Sequence, residues 1–288
     1  LGRLGAKPAG FPSTPFSGKL RNRIRMHSMP ASPLSSPPMS ASRPHVPHRT
    51  WWLGTLLFML IAGVVSSQRK DEDSNRARAA ANRVRGKLTR ALEKNGLRFG
   101  DPVFIRILKE ERELELWVRE PRKKSFRLFR TYRIAAMSGK LGPKVSEGDL
   151  QAPEGFYYVA QGAMNPHSNF HLSFNLGYPN EFDRAHGRDG TFIMVHGNRV
   201  SIGCFAMTDK KIEEIYTLCD AAHASGQKFF RVHSFPFRMT EARMKEAVLD
   251  GWWSFWKNLK QGYDVFEESR VPPNVTVEGK RYRFESME

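Results

Sequence analysis

The stretch TFIMVHGNRVSIGCFAMTD, residues 191–209, is the most informative part of the chain. An apolar run typical of a strand ends at His196, and a loop rich in small residues then leads to Cys204. A thiol needs a neighbouring base or positive charge to form a thiolate at neutral pH, and a tight loop after a strand can bring an imidazole within reach. The residues alone leave two interpretations open: a catalytic Cys–His pair, or a cysteine and a histidine that only pack.

The residues around this pair support a site built on backbone geometry. Gly203 frees the backbone beside Cys204, so that neighbouring N–H groups can face a developing oxyanion. A helix predicted for residues 209–225 begins at Asp209, which places its positive end near the same site. Cys219 falls within that helix among apolar residues at helical spacing, so we expect it to be a small buried residue.

The segment His196-Gly197, followed by Ser201 and Gly203-Cys204, resembles the H-G…S-x-G-C signature of L,D-transpeptidases with the YkuD-type catalytic domain. The order of the residues, the glycine positions and the preceding strand all agree with that signature. Other segments resemble the YafK-like branch of the family, and the resemblance covers about residues 101–262. These segments are residues 142–159, 164–184, 212–216 and 235–240.

The resemblance implies a β-rich fold and a cysteine acyltransferase that needs no cofactor or metal. In this family the cysteine attacks the carbonyl of the third residue of a peptidoglycan stem peptide and expels the terminal D-alanine. An amine then resolves the thioester in a cell-wall cross-link. Carried over to this chain, Cys204 is the nucleophile and His196 is the proton donor and acceptor. Gly197, Ser201 and Gly203 shape the loop and the oxyanion site.

Three further residues are candidates for substrate binding: His171, Tyr178 and Arg184. The chain departs from the wider family at Ala206, where relatives often carry an arginine two positions after the cysteine, and in the short loop before Cys204. These departures concern the acceptor side of the site rather than thioester formation. Two alternatives stay open: a hydrolase of the same fold that cleaves peptide or protein from peptidoglycan, and a non-catalytic module that only binds it.

A metal site is the rival chemistry, because several potential ligands cluster in sequence. They do not follow a helical ligand spacing such as H-E-x-x-H, so we expect no metal. More plausible roles for His171 and His186 are lining the cleft or packing. The clustered residues are His167, His171, Asp183, His186 and His196.

Hydrophobic periodicity outside this stretch predicts the fold class: α+β, a mainly β YkuD-like catalytic domain with flanking and C-terminal helices. One helix is expected within residues 71–95, and a second at about 241–261 carries several tryptophans that we expect to pack rather than bind ligand. The predicted strands are residues 103–108, 113–118, 126–134, 155–160, 170–176, 191–196 and 228–233, with the turn at 109–112 joining the first two as a hairpin.

The chain carries a net charge of +17, of which residues 1–50 contribute eight positive charges and no negative ones. Nine of the 18 prolines also lie there, which predicts a disordered leader. Residues 51–67 are apolar after a basic flank, as in a signal peptide, and an anchor at residues 51–66 is the alternative. A helical linker (68–100), a catalytic domain (101–239) and a C-terminal helix and tail (240–288) follow.

These segments predict an exported, periplasmic protein whose only contact with the membrane is its N-terminal segment. If that segment is not cleaved, it anchors the protein to the inner membrane. A basic surface suits the carboxylates of peptidoglycan stem peptides, and a wall-linked protein is a further possible partner. We find no zinc finger, basic heptad region or ribonucleoprotein motif, so we expect no nucleic-acid partner.

Overall fold

The computed structural model describes residues 75–285. The predicted leader (1–50) and apolar segment (51–67) lie outside the described residues and stay predictions. Within residues 75–285, no helix is long and apolar enough to cross a membrane.

The described residues form a mixed α+β fold, as expected. In chain order its elements are α1 (residues 75–94), β1 (Val103–Leu108), β2 (Glu113–Arg119), β3 (Phe126–Arg133), β4 (Gly155–Ala160), β5 (Met164–Asn165), β6 (Ser173–Asn175), α2 (Glu181–Ala185), β7 (Met194–His196), β8 (Phe205–Ala206), α3 (Asp209–Ala224), β9 (Phe229–Phe235), α4 (Glu241–Glu246), α5 (Trp253–Ser269), β10 (Asn274–Glu278) and β11 (Arg281–Glu285).

The central sheet has the strand order β3-β2-β1-β9-β4. Strand β1 lies in its middle and is buried along its whole length, because alternate side chains of a strand point to opposite faces and both faces are covered here. Ile105 and Ile107 join a core that includes residues of α1 and α3. Phe104 instead packs with Phe266 of α5 on the other face.

A second sheet, ordered β5-β6-β7-β8, carries the stretch that opened the sequence analysis. Its strands are short, but Phe174, Val195 and Phe205 anchor them in the same core as α3. Cys219 is fully buried in that core, which confirms its predicted structural role. The second sheet is therefore fixed by the packing of its apolar face.

The single helix predicted at 241–261 is wrong, because the structure has two helices with a break between them. Asp250 and Gly251 lie in the break, where the Asp250 carboxylate accepts the N–H of Trp252, the residue before α5, at 2.8 Å. Helix α5 then runs to Ser269, and Arg270 adopts a left-handed φ of 56° at its end. Trp256 packs in the core, as predicted.

The predicted C-terminal tail also contains the hairpin β10–β11, which the sequence analysis missed. Gly279 and Lys280 both have positive φ at its turn, the geometry of a tight two-residue hairpin. The strands predicted at 170–176 and 191–196 are real but shorter, since only Ser173–Asn175 and Met194–His196 pair.

Candidate active site

The parallel pairing of β7 with β8 positions the cysteine and the histidine. Val195 lies opposite Phe205, and both are fully buried in the core. Side chains one residue away in each strand therefore point to the other face. Met194, His196 and Cys204 all line one cleft on that face, and the Met194 N–H lies 3.4 Å from the Cys204 Sγ.

The loop between the two strands is held by local hydrogen bonds. The Ser201 hydroxyl donates to the Cys204 carbonyl at 2.6 Å and accepts the Gly203 N–H at 3.2 Å. Gly203 adopts a φ of +132°, which side chains rarely tolerate. A Cβ on Gly197 would lie 2.5 Å from the Phe170 carbonyl oxygen, so only glycine fits there. These contacts fix the geometry around Cys204.

The imidazole of His196 is oriented by its own backbone neighbour. Its Nδ1 lies 2.6 Å from the Gly197 carbonyl oxygen, which can only accept, so Nδ1 carries the proton and Nε2 has a lone pair. The residue is 2% exposed, and burial lowers the pKa of His196 although the bond to Gly197 opposes that shift. The Phe170 ring lies 4.7 Å from the imidazole and covers it. At neutral pH this histidine is a neutral base.

The Cys204 thiol is partly buried, and burial raises its pKa above the ordinary value. The Met194 N–H and the charge of Lys144 oppose that shift. Its Sγ lies 3.5 Å from the Phe192 carbonyl oxygen, and among the described residues no hydrogen bond joins Sγ to His196. The resting pair is therefore a neutral thiol and a neutral imidazole.

The cleft that holds both groups has a volume of about 610 Å³. Lys144 lies in its wall, but its ammonium group already binds the Asp149 carboxylate at 2.7 Å. The rim is unusually apolar for an exposed surface. Five exposed side chains form it: Leu150, Phe170, Phe192, Val200 and Ile202.

The three predicted substrate-binding residues do not line this cleft. His171 lies beside it, where its Nε2 is 2.8 Å from a Glu213 oxygen. Tyr178 is buried, and its hydroxyl donates to the Lys144 carbonyl at 3.2 Å. Arg184 lines a neighbouring cavity that shares Phe192 and Met194 with the active-site cleft.

The residues considered for a metal site serve separate purposes. Asp183 binds Arg188 at 2.9 Å and caps α2, while His186 stacks on Phe182 with ring centroids 4.1 Å apart. Within residues 75–285 no group of three or more potential ligands is close enough to hold a metal ion.

Three residues near the pair escaped sequence reasoning: Lys144, Phe170 and Met194. Lys144 lies in a loop far away in sequence, and no local pattern marks a lysine that will face a cysteine. The sequence predicts Phe170 within a strand, and that prediction gives no indication of its contact with His196. Met194 could have been found, since it is two residues from His196 on the same strand face.

Comparison with known proteins matches this architecture to one family. The family model of the YkuD L,D-transpeptidase catalytic domain matches residues 102–249. A protein of Escherichia coli K12 named "Putative L,D-transpeptidase YafK" is 45% identical over 183 residues, which are 64% of this chain and 74% of that protein.

Two solved structures are also similar. The helical cell shape determining protein Pgp2 of Campylobacter jejuni has 20% identity and a TM-score of 0.39, covering 61% of this chain and 72% of that chain. Bd1075 of Bdellovibrio bacteriovorus has 16% identity and a TM-score of 0.32, covering 65% of this chain and 83% of that chain.

Proposed function

Because the chain belongs to the family of YkuD-type L,D-transpeptidase catalytic domains, we propose that it modifies peptidoglycan through a thioester on Cys204. One observation carries the proposal. Cys204 and His196 line the same cleft from adjacent strands, and the Gly197 carbonyl holds the imidazole with Nε2 available as a base.

The first step begins with a rotation of the Cys204 side chain away from the Phe192 carbonyl and toward His196. Nε2 then takes the thiol proton while Sγ attacks the carbonyl carbon of the third stem residue. The resulting oxyanion is stabilised by backbone N–H groups of the loop. Since Ser201 already accepts the Gly203 N–H, the N–H of Cys204 itself is the better placed donor.

Collapse of this intermediate breaks the bond to the terminal D-alanine, and the imidazolium gives its proton to the leaving amine. The thioester and a neutral His196 remain. In the second step an acceptor amine loses a proton to His196 as it attacks the thioester, and the thiol is regenerated by the same proton. The product is a new amide bond between the stem and the acceptor.

Hydrolysis is the second candidate, because a specific feature weakens acceptor binding. Ala206, at the position where relatives often carry an arginine, is fully buried, and Lys144 in the cleft is engaged by Asp149. An acceptor carboxylate would thus lack a bidentate partner at that position. Water in place of the amine would release a shortened stem, or a protein linked to it.

The proposal also covers location. A protein that acts on stem peptides must reach the periplasm, and the apolar segment predicted at residues 51–67 would direct its export or anchor it to the inner membrane. Its partners are the stem peptides and, if it cleaves or attaches protein, a wall-linked polypeptide.

The direct test is mass spectrometry of muropeptides after incubation with the full-length chain. Cross-linked dimers or exchanged terminal residues indicate transfer, and freed tripeptide without exchange indicates hydrolysis. Cys204→Ser should abolish both, because a hydroxyl is a much weaker nucleophile with this base, whereas Cys219→Ala should retain activity. Equal products from Cys204→Ser and the parent would refute the proposal.

A carbapenem separates an enzyme from a binding module. An active Cys204 should be acylated, and intact-mass analysis should show one adduct that Cys204→Ser lacks and Cys219→Ala keeps. If the parent chain forms no adduct and no product, the non-catalytic alternative replaces this proposal.

A further inference from the structure

A second cleft, which we call the basic cleft, opens where β1 and β9 of the central sheet begin. Its volume is about 760 Å³, larger than the active-site cleft, and the two share no lining residue. Four separate segments contribute to its walls: residues 98–104, 119–126, 225–231 and 271–272.

The basic cleft concentrates positive charge in a concave surface. Its lining contains five cationic side chains and one acidic one, a formal sum of +4, from Arg98, Asp101, Arg119, Lys124, Lys228 and Arg231. The C-terminal ends of α3 and α5 adjoin it, and each contributes roughly half a negative charge. About three positive charges therefore remain after the helix ends are offset.

The cationic side chains of the basic cleft fall into two groups, those that contact other residues of the fold and those that are exposed. Arg98 pairs with Asp101 at 3.2 Å, and Arg231 donates to the Asn274 side chain at 2.7 Å. Arg119, Lys124 and Lys228 are exposed, and within the described part of the chain no hydrogen bond or ion pair engages their side chains. Three cations facing one cavity repel each other, so they favour an anionic occupant.

The rest of the lining indicates what kind of anion fits. Phe99, Phe126 and Phe229 contribute partly exposed rings between the cations, and Phe229 is 40% exposed. Arg119 and Lys124 belong to one wall segment and Lys228 to another, so the exposed cations are spread over more than one wall. An extended ligand with several anionic groups and apolar or ring surfaces fits this arrangement.

We propose that the basic cleft is an accessory binding site for the carboxylates of peptidoglycan stem peptides, distinct from the stem that reacts at Cys204. The identity of this ligand rests on the proposed function, whereas the preference for a polyanion rests on the cleft alone. Binding one stem there raises the local concentration of neighbouring stems at the active site, since both belong to one polymer. The site increases retention on the intact wall and does not take part in the chemistry.

The test is co-sedimentation of the full-length chain with purified peptidoglycan sacculi. Lys124→Glu/Lys228→Glu should bind sacculi with an apparent affinity on the order of tenfold lower than that of the parent, because each reversal replaces an attraction by a repulsion. The matched control is Lys245→Glu/Lys257→Glu, which changes the charge equally at exposed lysines outside the cleft and should bind like the parent. Turnover of a small soluble muropeptide should be the same in all three proteins.

Two further arms identify the ligand. Sacculi whose carboxyl groups have been converted to amides should bind the parent chain as weakly as the cleft variant binds untreated sacculi. Vesicles of phosphatidylethanolamine and phosphatidylglycerol should bind the parent and the cleft variant equally.

Three results would overturn the inference: equal losses in the cleft and control variants, no effect of amidation, or cleft-dependent binding to vesicles but not to sacculi. If soluble muropeptides are not turned over but cleft-dependent binding to sacculi persists, the proposed chemistry fails and the accessory site stands.

Discussion

Lys109→Met should destabilise the protein strongly, and a second substitution at Glu154 should recover much of the loss. The Lys109 ammonium group is buried and donates to the carbonyls of Gly142 and Ala152 and to Glu154, at 2.7, 2.9 and 2.9 Å. Glu154 is fully buried and also accepts from the Trp256 indole at 2.8 Å. This network holds residues 142–154, the loop that carries Lys144 to the active-site cleft.

The size of the loss follows from what the variant leaves behind. An uncompensated buried charge costs about 3–5 kcal/mol. We therefore expect a loss of about 3–5 kcal/mol at pH 7.

Lys109→Met/Glu154→Gln removes the unpaired charge and should cost only about 1–2 kcal/mol, mainly from the carbonyl groups that lose their donor.

Urea unfolding of the parent and both variants at pH 7 measures these differences. A double variant no more stable than the single one would refute the reasoning.

Further predictions concern titrating groups. The Cys204 thiolate should contribute an absorbance near 240 nm, measured as the difference between the parent and Cys204→Ser. Because burial raises the pKa of Cys204, this absorbance should be absent at pH 7 and appear only above pH 9.0. A signal at pH 7 would contradict the neutral resting pair. The acid limb of kcat/KM should lie below pH 6.5, because burial lowers the pKa of His196. Phe170→Ala should move this limb to higher pH by admitting water to the imidazole ring, and an unchanged limb would argue against the shielding role of Phe170. Burial also holds the pKa of His233 well below 6.5. The folded state therefore keeps this histidine neutral, whereas the unfolded chain binds a proton. The free energy of unfolding should thus fall by up to about 1.4 kcal/mol per pH unit as pH drops below 6.5. His233→Phe should flatten that slope in urea unfolding measured between pH 7 and pH 5, and an equal slope in both proteins would assign the acid sensitivity to other groups.

Period-two alternation predicted the strands of the central sheet well where a strand is long and its partners are close in sequence. The bounds of β1 and β4 match the prediction, and the hairpin from β1 to β2 is confirmed. The prediction failed where one local contact decides the outcome. Nothing in the spacing of apolar residues from 241 to 261 reveals the turn at Asp250, whose carboxylate accepts the Trp252 N–H.

The candidate site was only partly accessible to sequence reasoning. The resemblance of residues 196–204 to a family signature, rather than the spacing of His196 and Cys204, singled out the loop, and their placement on one face depends on parallel pairing of β7 and β8, which no periodicity specifies. The three suggested binding residues lie outside the cleft because their orientation depends on partners distant in sequence, such as Glu213 for His171. Lys144 likewise lies in the cleft although it is distant in sequence from Cys204.

Register is the property on which the chemistry depends most. A shift of one residue between β7 and β8 would move Cys204 to the core face and place an apolar side chain in the cleft. The hydrogen bonds of Ala206 prevent that shift, since its N–H donates to the Ala136 carbonyl at 2.9 Å and its carbonyl accepts the Ala135 N–H at 2.8 Å. The Met207 N–H adds a bond of 2.8 Å to the His196 carbonyl.

Position 206 itself holds a fully buried alanine between β7 and residues 135–136. An acceptor must therefore be held by other features of the cleft, and the rim supplies apolar side chains rather than a free cation. If the proposed thioester forms, an occupant that covers this rim would exclude water from it and favour transfer, whereas an occupant that leaves the rim open would admit water and favour hydrolysis. We therefore expect the choice between joining and cutting to depend on how completely the second substrate covers Phe192 and Ile202.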